Sequence, residues 1–235
     1  MNRHASWSVA LIGVAMLLGL ATAVRAGSPL GCFPYQIGDN KSLPWGTGAF
    51  DRATDYDPAN VVTDTLALLK TEKDTLTRME TLRRAAIYVS KDRARATELL
   101  AKLSWMALDA EATENKAWAA GALFDAGLLA ATYAQMGIDV GFKMGVADGL
   151  QGWAWVEKSL KYAPDDPAKQ FAAALIRYDR KGSSEPYLAR AVADAEPGSR
   201  LARSIESIHV VGGRTLEELR ATLKVTEGSS VGKKD

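Results

Sequence analysis

The sequence predicts an all-α protein, and three observations carry that expectation. Apolar residues recur at helical spacing over most of the chain beyond residue 57, no run alternates apolar and polar residues like a half-buried strand, and Gly, Pro and Asp punctuate the periodic runs at helix-length intervals. Of 235 residues 47% are hydrophobic, and 29 Lys and Arg against 28 Asp and Glu leave a formal charge of +1. Such a globular composition lacks the basic excess of a nucleic-acid binder. One Cys and two His exclude intramolecular disulfide frameworks and multi-Cys or multi-His metal sites.

Taking the elements in order, residues 1–26 carry Arg3, an apolar stretch from Trp7 to Leu20, and Val24-Arg25-Ala26 before Gly27. This pattern is that of a secretory signal peptide cut after Ala26, which places the chain in the periplasm or outside the cell. The alternative is an uncleaved anchor helix, for which the apolar core is short. Lipid attachment at Cys32, in Leu30-Gly31-Cys32, is disfavoured because Arg25 and Pro29 interrupt the apolar region. Residues 27–56, dotted with Pro29, Pro34, Pro44, Gly31, Gly38, Gly46 and Gly48, predict an irregular N-terminal arm.

Asp57-Pro58 then supplies an N-cap and a first-turn proline for a helix carrying Val61, Val62, Leu66 and Leu69. Further helices are expected at about 74–90, 93–110, 116–136, 150–162, 168–180, 185–195 and 199–209. Thr215 with Glu218 forms a capping box for a last helix to about Lys224, so the helical domain spans 57–224, and the tail 225–235 lacks the apolar content to fold.

An all-helical chain invites a search for repeats, because helix pairs that cannot bury their apolar faces alone stack in series. Tyr88, Tyr133 and Tyr178 recur at an interval of 45, each closing an apolar run and each followed four residues later by Asp92, Gly137 or Gly182. The segment from Trp155 through Glu157, Leu160 and Tyr162 to Ala163-Pro164-Asp165-Asp166-Pro167 resembles the second helix and exit turn of a tetratricopeptide repeat. Phe171, Tyr178 and Gly182 follow at the spacing of the next first helix, and Pro197 falls 33 residues after Pro164. The resemblance covers roughly Asp74 to Pro197 as about three degenerate helix pairs. It implies a right-handed superhelical array of antiparallel helix pairs, an α-solenoid, which serves interaction or scaffolding. Ala174-Leu175 departs from the family's usual pair, and the link after Gly137 is long. The alternative is an irregular helical bundle with one repeat-like turn.

Little in the chain points to catalysis. His209, the one histidine beyond the leader, lies before a Gly-Gly break where a helix end is expected, and neither a nucleophile elbow, a phosphate loop nor a His-Glu-x-x-His zinc motif occurs. No catalytic, cofactor-binding or metal-ligating residue is therefore assigned, and no cofactor is implied. Asp51, Asp55 and Asp57 lack the glycine and distal glutamate of a calcium loop. Arg78, Arg83, Arg84, Lys91, Arg93 and Arg95, interleaved with Glu80, Asp92 and Glu98, predict a solvated, salt-bridged face, with an anion site as the alternative. Trp105, Trp118, Phe124, Trp153, Trp155 and Phe171 are expected in core and inter-repeat packing, with the lining of a groove as the alternative for one or two of them.

The stretch 138–149 lengthens a connection that helix-pair repeats keep short, and it displays Phe142, Lys143 and Met144 between Gly141, Gly145 and Gly149. These three residues, with Trp153 of the next helix, are the candidate partner-binding residues. The expectation is an exported, non-enzymatic helical-repeat protein that binds another envelope or secreted protein or peptide. The alternative is a small-molecule or cofactor-binding accessory, for example transport-associated, with a pocket between helices.

Overall fold

The computed structural model describes residues 28–141, 150–178, 183–208 and 211–223. The described residues form ten α-helices and one 3-10 turn, Pro58–Asn60, and their only β pairing is an isolated bridge between Trp45 and Arg52. The all-helical class expected from the periodicity is the observed one. Residues 1–26, expected as a signal peptide, Phe142, Lys143, Met144, His209 and the tail 225–235 lie outside the described residues.

Local chemistry sets most helix starts, because the first backbone N–H groups of a helix need acceptors that the helix itself does not supply. The Asp74 carboxylate accepts from Thr77 N at the start of α3 (Thr75–Val89), Asp92 from Arg95 N at α4 (Arg93–Glu111), and Asn115 from Trp118 N at α5 (Lys116–Met136). Asp166 takes both Ala168 N and Lys169 N at α7 (Pro167–Ile176). Ser199 caps α9 (Arg200–Ser207), and the Thr215–Glu218 capping box opens α10 (Leu216–Thr222). Between these run α2 (Val61–Thr71), α6 (Leu150–Tyr162) and α8 (Glu185–Asp194). Gly137 ends α5 in the left-handed region, at φ 67°.

Two elements depart from expectation. The N-terminal arm contains one helical turn, α1 (Pro29–Cys32), started by Ser28 accepting from Gly31 N with Pro29 at the first position. Helix α7 stops at Ile176 rather than Arg180, since Arg177 leaves the helical conformation at φ −98° and ψ 11°. Tyr178 therefore falls beyond the helix and is 38% exposed, whereas Tyr88 and Tyr133 are buried. The 45-residue recurrence marks buried positions at two of its three points.

Helix α5 is the hub and packs against α1, α3, α4, α6 and α7. After Lys116 its only charged residue is Asp125, so it is apolar all round and must be covered on every side. Its closest neighbour is α6, because Gly127 and Gly152 face each other across the crossing. A Cβ on Gly127 would lie 2.6 Å from Gly152 O, and one on Gly152 would lie 2.8 Å from Gly127 O. Helices α3, α5 and α7 also pack on one another, and α1 touches all three. The arm continues along them with Leu30, Tyr35, Ile37 and Leu43 buried. Tyr35 meets the ring of Phe171 edge-on at 6.4 Å, and Gln36 N donates to Ser204 Oγ at 2.9 Å.

Candidate functional site

Helix α3 carries arginines that reach two separate buried carboxylates, and this corrects the expectation of one solvated basic face. Lys91 and Arg93 are exposed as expected, but Arg83 is 1% exposed and Glu80 is fully buried. Burying a charge is costly unless it is paired and hydrogen-bonded, so each cluster reveals its purpose by how completely it is satisfied.

The first cluster is closed. Glu80 accepts from Arg83 Nε and Nη2, both at 2.8 Å, from Arg84 Nε at 2.7 Å and from Tyr35 N at 3.0 Å. The remaining guanidinium donors hold the arm: Arg83 Nη1 donates to Gly31 O and Ala49 O, and Arg84 Nη1 to Leu43 O. The Trp45 indole lies against both guanidinium groups, at 5.2 and 5.6 Å, and Tyr88 Oη donates to Pro44 O while accepting from Ala53 N. The Glu80, Arg83, Arg84 and Tyr88 groups are thus committed to fastening residues 31–53, which is a structural role; the buried Tyr35 hydroxyl beside them has no hydrogen-bond partner among the described residues.

The second cluster is open. Arg78 pairs with Asp125 of α5 through Nε and Nη2, and its Nη1 donates to Leu69 O and Glu72 O, locking the α2–α3 connection. Beside this pair a cleft of about 450 Å³ opens between the α2–α3 turn, α5 and the first turn of α7. Asp125, Gly121 and Trp118 of α5 line it, with Lys70, Lys73 and Lys169. Gly121 leaves room there, since a Cβ would find its nearest atom, Arg78 Nη2, at 3.9 Å.

Lys169 is the unusual member. It is 6% exposed, and its ammonium has one hydrogen bond among the described residues, to Ala120 O at 3.4 Å. The Phe124 ring lies 5.6 Å away. Burial lowers the Lys169 pKa; Arg78 adds to this, and Asp166 and Asp125 oppose it. Burial likewise raises the Asp125 carboxyl against the opposing pull of Arg78 and Lys169. The neighbouring Asp166 is already used, accepting the two α7 amides and the Thr75 hydroxyl at 2.6 Å. The cleft thus presents a poorly satisfied buried cation, two rim lysines and an indole 37% exposed. Such a convergence of perturbed ionisable groups in a recess is what a binding site requires.

Among the sequence-derived candidates only Trp153 falls within the described residues. It occupies a separate recess of about 260 Å³ with Glu157, Arg177, Tyr187 and Arg190. The Arg177 guanidinium stacks on its indole at 4.4 Å, and Tyr187 meets it edge-on at 5.3 Å. The structure does not bring Trp153 to the main cleft. Of the aromatics expected in the core, Phe124 and Phe171 are fully buried, whereas Trp105 is 72% exposed and Trp118 borders the cleft. Sequence reasoning missed Lys169 and Asp125. The available signal for Asp125 was a single charge inside an apolar run, Phe124-Asp125-Ala126, whereas Lys169, three residues after Asp166 and followed by Gln170, carries no such mark.

Among the described residues no group of three or more His, Cys, Asp or Glu is disposed to hold a metal ion, and no helix is long and apolar enough to cross a membrane. The chain matches no protein-family model, no curated protein and no solved structure.

Proposed function

We propose that this chain is an exported, non-enzymatic helical-repeat protein that holds another envelope or secreted protein or peptide, with the cleft beside Arg78 and Asp125 as its grip. The export part rests on the leader-like residues 1–26. The repeat part is supported by the packing order, in which each helix from α4 to α7 packs on the next and α5 packs on both α3 and α7; the direct packing of α3 on α7 departs from a strict array, where only neighbouring pairs touch. The face of α3, α5 and α7 is where an array of helix pairs would take an extended peptide, and here residues 28–45 of the chain lie on it. The grip is accordingly assigned to the cleft.

The observation that carries the reading is the cleft's inventory, in which Asp125, Asp166 and Arg78 are tied to one another or to the chain, while Lys70, Lys73 and the Trp118 indole are exposed to meet a partner. Aromatic and cationic anchors around a recess dominate binding energy at interfaces. The small-molecule accessory reading is favoured by one specific observation, the enclosure of the Lys169 ammonium.

Native mass spectrometry of the protein isolated undenatured from its own cells separates the two readings. The expected result is an added polypeptide mass that is lost in both Trp118→Ala and Lys73→Glu, on a chain beginning at Gly27. An added mass of a few hundred daltons in its place moves the function to the accessory, and a polypeptide retained equally by both variants overturns the cleft as the grip.

A further inference from the structure

The cleft can be asked which chemical group it is built to receive, a question that rests on its being the working face. The Arg78 fork has no free edge, because Nε and Nη2 are on Asp125 and Nη1 is on two carbonyls. Bidentate capture of a phosphate by a guanidinium, the strongest mode for that group, is therefore closed. What remains is the Lys169 ammonium, a compact charge with three N–H donors and one long hydrogen bond to Ala120 O. A buried ammonium so poorly satisfied is costly unless an anion arrives. Lys70 and Lys73 at the mouth, both exposed and in no ion pair among the described residues, add attraction for such an anion.

The charge of the arriving group is bounded by the neighbours. Asp125 and Asp166 flank Lys169 against the single guanidinium of Arg78, so the groups facing the ammonium sum to −1 and the cluster that includes Lys169 is neutral before a ligand enters. One added negative charge can take the open N–H donors of Lys169 and the attraction of Lys70 and Lys73 at the mouth, which exceed Glu72 there by one charge, whereas a dianion is pushed back by the two carboxylates. The rest of the lining selects an apolar body, because Leu69, Met106, Ala117 and Ala122 accompany the Trp118 indole. We propose that the cleft is a receptor for a monoanionic carboxylate carried on an apolar body, with the carboxylate on the ammonium of Lys169 and the body against Trp118. The group comes either from a free apolar acid or from the C-terminal carboxylate of a peptide ending in an apolar residue.

The lowered pKa of Lys169 adds a signature that a nonspecific contact lacks. Arg78, Asp125 and Asp166 are the charged groups facing the ammonium from α3, α5 and the α7 cap, and none of them is free to replace it. An anion on the ammonium favours the charged form, so binding raises this pKa and weakens as pH rises through the unliganded value.

The test is calorimetric titration of the full mature chain with 3-phenylpropionate and with acetyl-Ala-Ala-Phe bearing a free carboxylate, each against its amide, in buffers of different ionisation enthalpy. Binding of an acid form, at least about tenfold weaker for its amide and for phenyl phosphate, is expected. Lys169→Met should weaken acid binding by about tenfold or more and abolish the proton uptake at alkaline pH. Trp118→Ala, at a residue 37% exposed, should weaken it severalfold with the uptake retained and with the helical circular dichroism of the wild type. Absence of binding by both acids to millimolar concentration, or equal binding of acid and amide, or unchanged binding by Lys169→Met, overturns the carboxylate receptor. Binding of 3-phenylpropionate without the peptide upholds the receptor and removes the peptide-partner function. Binding of neither, with a polypeptide still carried in the native mass, removes the receptor and leaves that function standing.

Discussion

The carboxylates of Glu80 and Asp125 are both buried, and both are paired with guanidinium groups from α3, yet only Asp125 borders a cleft. Around Glu80 the other donors of Arg83 and Arg84 end on carbonyls of the N-terminal arm, and two guanidinium groups and an indole seal the cluster. Around Asp125 the pair is equally complete, but Lys169 stands beside it with one long hydrogen bond and open space in front. The difference teaches that a buried ion pair is not by itself a site. Low dielectric makes every unsatisfied charge expensive, so the distinguishing feature is the charge that the fold leaves under-satisfied.

The largest expected effect strikes the closed cluster. Glu80→Ala leaves Arg83 buried without its counter-charge and frees Tyr35 N, and it should cost about 4 kcal/mol in urea unfolding. A cost below about 1 kcal/mol would mean that the arm is held by its apolar residues alone, and the contrast with the cleft would disappear.

Next comes the α5–α6 crossing, where Gly127→Ala drives a Cβ against the Gly152 carbonyl and should cost about 3 kcal/mol. The open cluster ranks below both. Arg78→Ala should cost about 2 kcal/mol near neutral pH, since Lys169 and cleft water still attend Asp125. Asp125 already has a raised folded pKa, and losing Arg78 raises it further. Between the wild-type folded pKa and the still higher one of the variant, the folded variant binds a proton that folded wild type does not. Its deficit should therefore shrink as pH falls through that window, and a deficit constant from pH 7 to 4 would contradict the assignment.

The smallest effect has the opposite sign. Gly121→Ala places a methyl into free space on a helix and should stabilise by about 0.5 to 1 kcal/mol. The two glycines of α5 then bracket the comparison on one element, since one faces a packed backbone and the other faces the cleft.

Much of the helical plan was legible along the chain. The starts of α4, α5, α6 and α8 and the ends of α5 and α6 fall where periodicity and caps place them, because a cap is a bond between neighbours such as Asn115 and Trp118. The repeat-like segment Trp155 to Pro167 was legible as a helix and turn for the same reason. The end of α7 was not, because nothing at Arg177 in the sequence announces a break. The candidate site was almost illegible. Trp153 and the connection 138–149 drew notice by spacing, whereas Lys169 and Asp125 are single charges whose meaning depends on what faces them.

What the sequence by itself determined is the helical class, most helix ends and the apolar hub α5, all consequences of contacts between residues a few positions apart. The tertiary structure alone decided that residues 28–45 lie on the face shared by α3, α5 and α7, that Arg83 is sealed, and that Lys169 is buried beside an open cleft. Those outcomes join residues 34 to 168 positions apart, such as Ala49 with Arg83 and Gln36 with Ser204. Whether a charge is solvated, neutralised or left waiting is set by the groups that packing brings to it, and no local pattern encodes them.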